Sequence, residues 1–427
     1  MKMPRHFERL FLLLVLLLGA LVRILYFEEL KDRPQFTLLH LDGKYHDQMA
    51  RAGMPGAQTN AESAQLRNQY ARHPYFRPPG YIYFLGGVYR LLGPRYAAPR
   101  LVQFGLGLLN VFLAWWLYRR IFSKRYALLA ALFASLYWIF VYYEGTLYET
   151  TWFTSLLLLL AVSLVHLQRN PTWRTALLAG VVFAAGVLTR PNLLACAVPI
   201  AGWIWLAVRP APPARRWVAG AWIFLAAAFA AISPVTVRNY LCSGERVLVS
   251  ANAGINLYAG NNEKSDGYSP GGPLIGFWDC FDYASLCARI GQQAGRPLTY
   301  SETSAYLSRE ALHFALRHPV RTLALTGKKA LLFWGPKEVG NEEEEELERS
   351  DSRVLSRLPG RFPIVAALFA AGAILCLLPA RHRLAANRLE QRSLAILLLW
   401  IVLFYFLTYL PFIVAPPYRP PLIPYLL

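Results

Sequence analysis

The chain has 427 residues, of which 56% are hydrophobic and 14% aromatic, and its formal net charge is +19. This composition excludes an ordinary soluble domain and is typical of a helical membrane protein. The basic residues lie in short loops between apolar runs, a pattern that reports membrane orientation and anionic headgroups rather than nucleic-acid binding. The sequence has no P-loop, dinucleotide-binding, HExxH or GxSxG motif, which argues against a nucleotide bound in a soluble domain.

Nine apolar runs predict membrane-spanning helices. In chain order they cover residues 10–27, 97–117, 126–142, 151–167, 176–188, 193–208, 218–232, 362–378 and 394–409. Two further apolar stretches, 80–92 and 320–334, are too short or too basic to span, and we expect them to lie at the interface. The sequence therefore predicts an all-α polytopic bundle of about 9–10 transmembrane helices, with juxtamembrane helices in the first extracytoplasmic loop.

The lysines and arginines predict the orientation of this bundle. With the N-terminus in the cytoplasm, nine spans put the short basic loops, such as 119–125 and 209–216, on the cytoplasmic side. The same count puts a group of charged residues on the opposite face: Asp42, Glu144, Glu149, Arg190 and Arg238. We expect a functional site on that face.

The chain divides into three predicted parts. Residues 1–240 form an N-terminal transmembrane module with the polar first outer loop at 28–79, residues 241–360 form an outer region with interfacial helices, and residues 361–427 form the C-terminal transmembrane helices. The last apolar residues are too few to cross a bilayer, so truncation of the C-terminus stays open. For Cys280 and Cys287 in the outer region, a disulfide and two thiols are both open.

Four carboxylates lie close to the membrane in the first two outer loops. The stretch LHLDGKYHDQMA carries Asp42 and Asp47, and YEGTLYET carries Glu144 and Glu149. Carboxylates at such a site act as general bases, orient an acceptor hydroxyl or amine, or hold a divalent cation. The alternatives are solvated loop residues or, for Glu149, the N-cap of a helix. Asp42 is the preferred catalytic candidate, because few other acids accompany it against the membrane.

Arginines on the same outer face run against the positive-inside trend and are candidates for phosphate binding: Arg77, Arg190, Arg238 and Arg419. A guanidinium group binds phosphate through bidentate, charge-assisted hydrogen bonds. Anchoring to lipid headgroups is the alternative. A proline follows three of the four, which suits a preformed anion site and equally a turn that starts a helix.

The remaining candidates are amide, aromatic and imidazole side chains. Asn256 and Tyr258 lie in an Asn- and Gly-rich stretch that could bind sugar hydroxyls or form a plain loop. Tyr45 is a candidate for the wall of a sugar subsite, although tyrosine is also common at membrane interfaces. For His40 and His46 we favour a structural, hydrogen-bonded role.

The order and spacing of several motifs resemble a known group of enzymes. The motifs are HLDGKYHDQMA, FRPPGYIYFLGGVYRLLG, YEGTLYET, GVLTRPN and ISPVTVRNYLCSGERVLVSANAGINLYAGNN. They are similar to those of GT-C class membrane glycosyltransferases, near the bacterial relatives of protein O-mannosyltransferases and of the aminoarabinose transferase that modifies lipid A (glycosyltransferase family 39). The resemblance covers most of the chain, from the first helix to YRPP near its end.

The resemblance implies transfer of a hexosyl or pentosyl group from a polyprenyl-phosphate-linked donor to a lipid, glycan or protein acceptor, at the outer face of the bacterial inner membrane. It maps the acid of the first outer loop onto Asp42, the acid of the second onto Glu149, and the basic residue that meets the lipid phosphate onto Arg77. Many relatives have an acidic pair where this chain has Asp42 and Gly43, and an acid in place of Phe76. The need for a divalent cation therefore stays open.

Together, these features predict that Arg77, with Arg190 or Arg238, holds the phosphate while Asp42 orients or deprotonates the nucleophile. Asp47 has a supporting role on a surface helix. Two alternatives are a transporter or flippase for lipid-linked sugars, and a non-catalytic subunit of a polysaccharide-assembly complex; an O-antigen ligase or polymerase is a third. A transporter is expected to show inverted repeats and charges near the bilayer midplane, whereas the charges here are predicted at helix ends.

Overall fold

The computed structural model describes residues 4–39, 41–54, 61–208, 217–276, 278, 280–336, 345–377 and 386–427, and these contain no strand. The helices of the first half are α1 Arg5–Leu30, α2 Leu41–Ala52, α3 Ala61–Arg72, α4 Gly80–Leu92, α5 Ala97–Ile121, α6 Lys124–Leu136, α7 Trp138–Gly145, α8 Thr150–Arg169 and α9 Trp173–Thr189. A 3-10 helix, Pro191–Cys196, leads into the second half: α10 Ala197–Ala207, α11 Val218–Ser243, α12 Ala253–Gly260, α13 Tyr283–Gln293, α14 Tyr300–Arg317, α15 Pro319–Trp334, α16 Glu345–Asp351, α17 Phe362–Leu377, α18 Ala386–Tyr409 and α19 Ile423–Leu426.

The apolar helices match the predicted spans. Within the described residues, α1, α5, α8 and α11 are long and apolar enough to cross a membrane, and α6 with α7 passes the same test as one span bent by 46°. Four shorter apolar helices accompany them: Trp173–Thr189, Pro191–Ala207, Phe362–Ile374 and Ser393–Tyr409. The all-α polytopic membrane fold is confirmed.

Close packing of α9 against α8 and α11 forms the centre of the bundle. Small residues make the approach of α9 and α11 close: a Cβ added to Gly180 would lie 2.4 Å from the carbonyl oxygen of Phe224. Such small-residue contacts favour helix association in lipid, where burial of apolar surface alone gives little driving force. This packing fixes the outer end of α9, where Arg190 follows the helix.

The first outer loop and the outer region share one hydrophobic core. Tyr45 of α2, Leu85 of α4 and Phe76, which precedes α4, pack in the same cluster as Tyr283 of α13 and Leu307 of α14. Helices α2 and α4 also contact each other directly. The shared core places the start of α2, which carries Asp42, over the outer ends of the apolar helices.

Two elements differ from the sequence prediction. Helix α11 does not end near residue 232 but continues through Pro234 to Ser243, where Gly244 in the left-handed conformation (φ of 73°) ends it. Proline is tolerated in a helix of the membrane because neighbouring groups satisfy the freed carbonyl. The Asn- and Gly-rich stretch forms helix α12 and not an open loop.

Two local details of the outer region are also settled. Helix α14 is capped by Thr299, whose side chain forms a capping box with Glu302. Cys280 and Cys287 are both buried, and no disulfide joins them. The core that surrounds these cysteines therefore forms without a covalent cross-link.

Candidate active site

A cavity of about 370 Å³ lies where the first outer loop meets the ends of α8, α9 and α18. Its wall contains Asp42, Arg77, Glu149, Arg190 and Asn256. These five predicted site residues, which are far apart in the chain, therefore meet in one space, which we call the outer cavity. Apolar and aromatic side chains complete it, including Phe76, Tyr81, Trp278, Tyr409 and Tyr418.

Asp42 and Arg77 form a bidentate ion pair at the wall of the outer cavity. Nη1 of Arg77 donates to Oδ2 of Asp42 at 2.7 Å, and Nη2 contacts Oδ1. The side chain of Asp42 is 6% exposed and that of Arg77 is 19% exposed, so water screens the pair only weakly. Asp42 lies in the first turn of α2, where the helix dipole favours a carboxylate.

A second pair, Arg190 and Glu149, lines the same cavity. Nη2 of Arg190 is 3.1 Å from Oε1 of Glu149, while Nη1 donates to the hydroxyl of Tyr405 and to the carbonyl oxygen of Pro417, both at 3.0 Å. Glu149 occupies the N-cap position of α8, but its side chain makes no capping hydrogen bond. The geometry therefore does not support the capping alternative, because the carboxylate is turned towards Arg190.

His46 and Tyr148 also line the outer cavity, and sequence reasoning did not select either as a functional residue. The hydroxyl of Tyr148 donates to Oδ2 of Asp42 at 2.9 Å. His46 is buried, and burial lowers the pKa of its imidazole. Helical spacing could have indicated His46, because it lies four residues after Asp42 and so on the same face of α2.

Asp47 lies on a different face of α2 and does not line the outer cavity. Its carboxylate accepts hydrogen bonds from the hydroxyl of Tyr89 and, at 2.9 Å, from Nε of Arg51. Burial raises the pKa of Asp47, and these partners offset only part of that effect. Five residues of helix separate Asp47 from Asp42, which turns the two carboxylates to different sides.

Glu144 is placed below the cavity, between membrane helices. Nη2 of Arg23 on α1 donates to Oε1 of Glu144 on α7 at 2.7 Å, and the two side chains are 2% and 3% exposed. Gly107 of α5 leaves room for this carboxylate, since a Cβ at that position would lie 2.0 Å from Oε1. The sequence suggested a loop residue at the outer face, whereas Arg23 holds Glu144 inside the bundle.

Arg238 lies within α11 and does not line the outer cavity, because α11 continues past the predicted boundary. Its guanidinium group packs over the rings of Tyr75 and Tyr70, at 4.2 and 4.6 Å from their centroids. Nη1 also donates to the carbonyl oxygen of His73 at 3.0 Å. These contacts tie α11 to the first outer loop.

Tyr45 and Tyr258 support the site from behind and do not line its wall. Tyr45 is buried, and the guanidinium carbon of Arg77 lies 5.6 Å from its ring centroid. The hydroxyl of Tyr258 accepts a hydrogen bond from the backbone N–H of Leu274 at 3.3 Å. Tyr45 therefore contributes to the position of Arg77, and Tyr258 to the loop that follows α12.

The comparison with known proteins agrees with this architecture. Residues 76–237 match the family model of dolichyl-phosphate-mannose-protein mannosyltransferases, a segment that contains Arg77, Glu149 and Arg190. The fold is similar to the crystal structure of the Archaeoglobus fulgidus oligosaccharyltransferase in the apo form, with a TM-score of 0.50 and 12% sequence identity, over 99% of this chain and 50% of that one. The predicted resemblance to GT-C membrane glycosyltransferases is confirmed.

Two further solved structures match this chain with lower TM-scores. The same oligosaccharyltransferase tethered to an acceptor peptide gives a TM-score of 0.48 at 12% identity, over 99% and 49% of the two chains. Archaeal AglB from Archaeoglobus fulgidus with an inhibitory peptide and a dolichol-phosphate gives 0.43 at 13% identity, over 98% and 50%. The chain spans about half the length of the solved structures that it matches. No curated protein sequence matches it.

The described part of this GT-C-like chain does not offer a ligand set for a metal ion. No three His, Cys, Asp or Glu side chains of the described residues come together in a group that could hold one. Asp42 and Glu149, which line the outer cavity, each pair with an arginine.

Proposed function

We propose that this protein transfers a sugar from a polyprenyl-phosphate-linked donor to an acceptor at the extracytoplasmic face of the membrane. The observation that carries the proposal is the outer cavity, where the Asp42–Arg77 and Glu149–Arg190 pairs line one space at the ends of apolar helices. Displacement at a glycosyl phosphate needs a cation for the phosphate and a carboxylate for the nucleophile. The cavity contains both.

An apolar groove beside the outer cavity supports a lipid-linked donor. It has a volume of about 420 Å³, is lined by Phe404 and Leu407 of α18, and shares Pro191, Asn192 and Phe412 with the outer cavity. A lipid chain in this groove lies along an apolar helix while its phosphate reaches the polar cavity. A soluble nucleotide sugar has no use for such a groove.

The reaction follows from the two charged pairs. When the donor phosphate binds, Arg77 shares its guanidinium group between Asp42 and the phosphate, which stabilises the negative charge that develops there. The bond between the anomeric carbon and the phosphate oxygen breaks, and the electron pair leaves with the phosphate. The acceptor hydroxyl or amine attacks from the opposite side, its proton passes to Asp42, and the configuration inverts.

Arg190 has a positioning role in this scheme. It is 5% exposed, and its donors already serve Glu149, Tyr405 and Pro417, so a phosphate would have to displace existing partners. We assign it to holding Glu149 towards the cavity, where this second carboxylate orients the acceptor or a sugar hydroxyl. Asn256 supplies an amide group on the same wall.

The proposed orientation follows from where charges meet along the first helices. Glu8, near the start of α1, forms ion pairs with Arg119 in the last turn of α5 and, at 3.0 Å, with Lys124 at the start of α6. The N-terminus and this basic loop therefore lie at one end of the bundle. The positive-inside trend makes that end cytoplasmic, and the outer cavity is then extracytoplasmic, in a bacterial inner membrane.

The test of the proposal uses the purified wild-type chain in lipid nanodiscs with a panel of labelled polyprenyl-phosphate sugars and lipid, glycan and peptide acceptors. We expect release of free polyprenyl phosphate that depends on the acceptor, and a product of inverted anomeric configuration by NMR. Retention of configuration would contradict direct displacement. Movement of intact donor across the bilayer, without cleavage, would instead identify a transporter.

A further inference from the structure

The two oxygens of the Asp42 carboxylate have different surroundings. Oδ2 accepts hydrogen bonds from Nη1 of Arg77 at 2.7 Å and from the hydroxyl of Tyr148 at 2.9 Å. Among the described residues, Oδ1 has the contact with Nη2 of Arg77 that completes the bidentate pair, and no second donor. When Arg77 turns to the phosphate, Oδ2 therefore keeps the hydrogen bond from Tyr148, and Oδ1 becomes the oxygen able to accept a proton.

Arg77 and Tyr148, which both donate hydrogen bonds to Oδ2, respond differently when the lipid-linked sugar binds. Arg77 is the group proposed to meet the phosphate, so its contacts with Asp42 weaken at the moment when the carboxylate must be oriented. Tyr148 does not contact the phosphate in the proposed reaction. Its hydrogen bond persists and keeps the plane of the carboxylate fixed while Oδ1 faces the nucleophile.

The segment that carries Tyr148 is fixed by buried polar side chains of α5. Nε of Arg100 donates to the carbonyl oxygen of Gly145 at 2.7 Å, and Nε2 of Gln103 donates to those of Glu144 and Thr146 at 2.9 and 2.6 Å. Arg100 and Gln103 are among the most buried polar residues, at 1% and 0% exposure. Three consecutive carbonyl groups are thus held just before Tyr148, which suits a side chain that must stay in place.

Tyr148 also separates the outer cavity from a neighbouring one. A second cavity of about 210 Å³, lined by Gly43, Thr146 and Leu347 among others, has Tyr148 in its wall as well. The ring of Tyr148 is 6.0 Å from that of His46, on the outer-cavity side. The side chain therefore stands at the boundary of two spaces, next to the carboxylate and not on a free surface.

We infer that Tyr148 is a positioning residue, which holds Oδ2 of Asp42 while Arg77 engages the donor phosphate and so presents Oδ1 to the incoming nucleophile. This inference rests on the proposed function. It adds a residue that lies in the motif YEGTLYET but was not selected from the sequence. It also predicts an effect on kcat, with little effect on donor binding.

Tyr148→Phe is the test, with kcat and the KM for the sugar donor measured in steady-state transfer. Loss of the hydroxyl removes the group that holds Oδ2 of Asp42, so the carboxylate is less well oriented towards the nucleophile. At neutral pH kcat falls about tenfold, while KM for the donor changes less than about twofold.

Tyr143→Phe is the matched control. The hydroxyl of Tyr143 donates to Oε1 of Glu345 at 2.9 Å, so this variant loses a side-chain hydrogen bond of the same length, five residues away, without touching Asp42. Its kcat and KM should equal those of wild type. An unchanged kcat in Tyr148→Phe, a rise in KM as large as the fall in kcat, or equal changes in both variants would overturn the positioning role. Absence of transfer by the wild type would instead refute the proposed function itself.

Discussion

At the residue scale, Arg77 pairs with the carboxylate of Asp42 in the structure and with the donor phosphate in the proposed complex. Its guanidinium group makes two parallel contacts with Asp42, the geometry that also binds a phosphate. Proline residues 78 and 79 follow it and lead directly into α4, which fixes the backbone at this point. We therefore expect the shape of the side chain, and not only its charge, to matter.

Substitution of Arg77 should weaken donor binding in a graded way. Arg77→Lys keeps the charge but loses the bidentate contact, and we expect about a tenfold higher Kd for polyprenyl phosphate; Arg77→Ala loses both and should raise Kd by about a hundredfold. Arg90→Ala is the control, since Arg90 is exposed on α4 and outside the outer cavity. Binding by nanodisc titration checks this, and equal Kd values for all variants would exclude Arg77 as the phosphate ligand.

The charged residues of the site could be predicted from the sequence more readily than the uncharged side chains that contact them. Asp42, Arg77, Glu149 and Arg190 could be selected because polar groups against apolar helices are costly and need a reason. Tyr148 could not, because its role depends on a contact across 106 residues of chain that only the fold creates.

At the element scale, the ion pair between Arg23 and Glu144 connects α1 to α7. Both groups are almost fully buried, and Arg23 also donates to the carbonyl oxygen of Ser135, which belongs to α6. The pair joins the first helix to the bent span whose end leads into the loop of Tyr148. Its effect is therefore on assembly of the bundle rather than on the reaction.

Arg23→Met should strongly destabilise the protein, because it leaves Glu144 buried without its partner; the expected loss is about 3–5 kcal/mol. In Arg23→Met/Glu144→Leu no charge stays uncompensated, so much of that loss should be recovered. Unfolding in detergent, followed by thermal shift and denaturant titration, measures both. A double variant no more stable than Arg23→Met would contradict this reading of the pair.

The helices themselves were largely predictable. The stretch 80–92 was expected as a helix too short to span, and α4 has those bounds. The misplaced boundary of α11 has a physical cause, because Pro234 and the polar residues after it suggest a loop in water, whereas the helix continues there. That error also moved Arg238 from a predicted loop into a helix, away from the outer cavity.

For the whole molecule, the decisive property is which end of the bundle faces the cytoplasm. A reporter fused after Arg125, in the first turn of α6, should be active in the cytoplasm, and one fused after Asn262, beyond α12, should be active outside. Paired phosphatase and fluorescent-protein fusions at each position measure this. The reverse pattern at either position would place the outer cavity in the cytoplasm and rule out a donor presented at the outer face.

Assembly of the outer cavity is the property that the sequence could predict only in part. The count of spans put Asp42, Glu149 and Arg190 on one face, but their meeting in one cavity depends on the close packing of α8, α9 and the end of α18. Local patterns of hydrophobicity and charge in the sequence do not specify which helices pack together.

Acceptor-dependent release of free polyprenyl phosphate by Asp42→Asn is the most direct test of the central claim. Asn keeps the size of the side chain but cannot take up a proton as a carboxylate does, so transfer should fall by at least about a hundredfold with normal expression and membrane insertion. Asp32→Asn is the matched control, because Asp32 is an exposed acid of the same outer loop, and it should release the lipid phosphate at the wild-type rate. Wild-type release by Asp42→Asn would show that Asp42 is not the catalytic carboxylate.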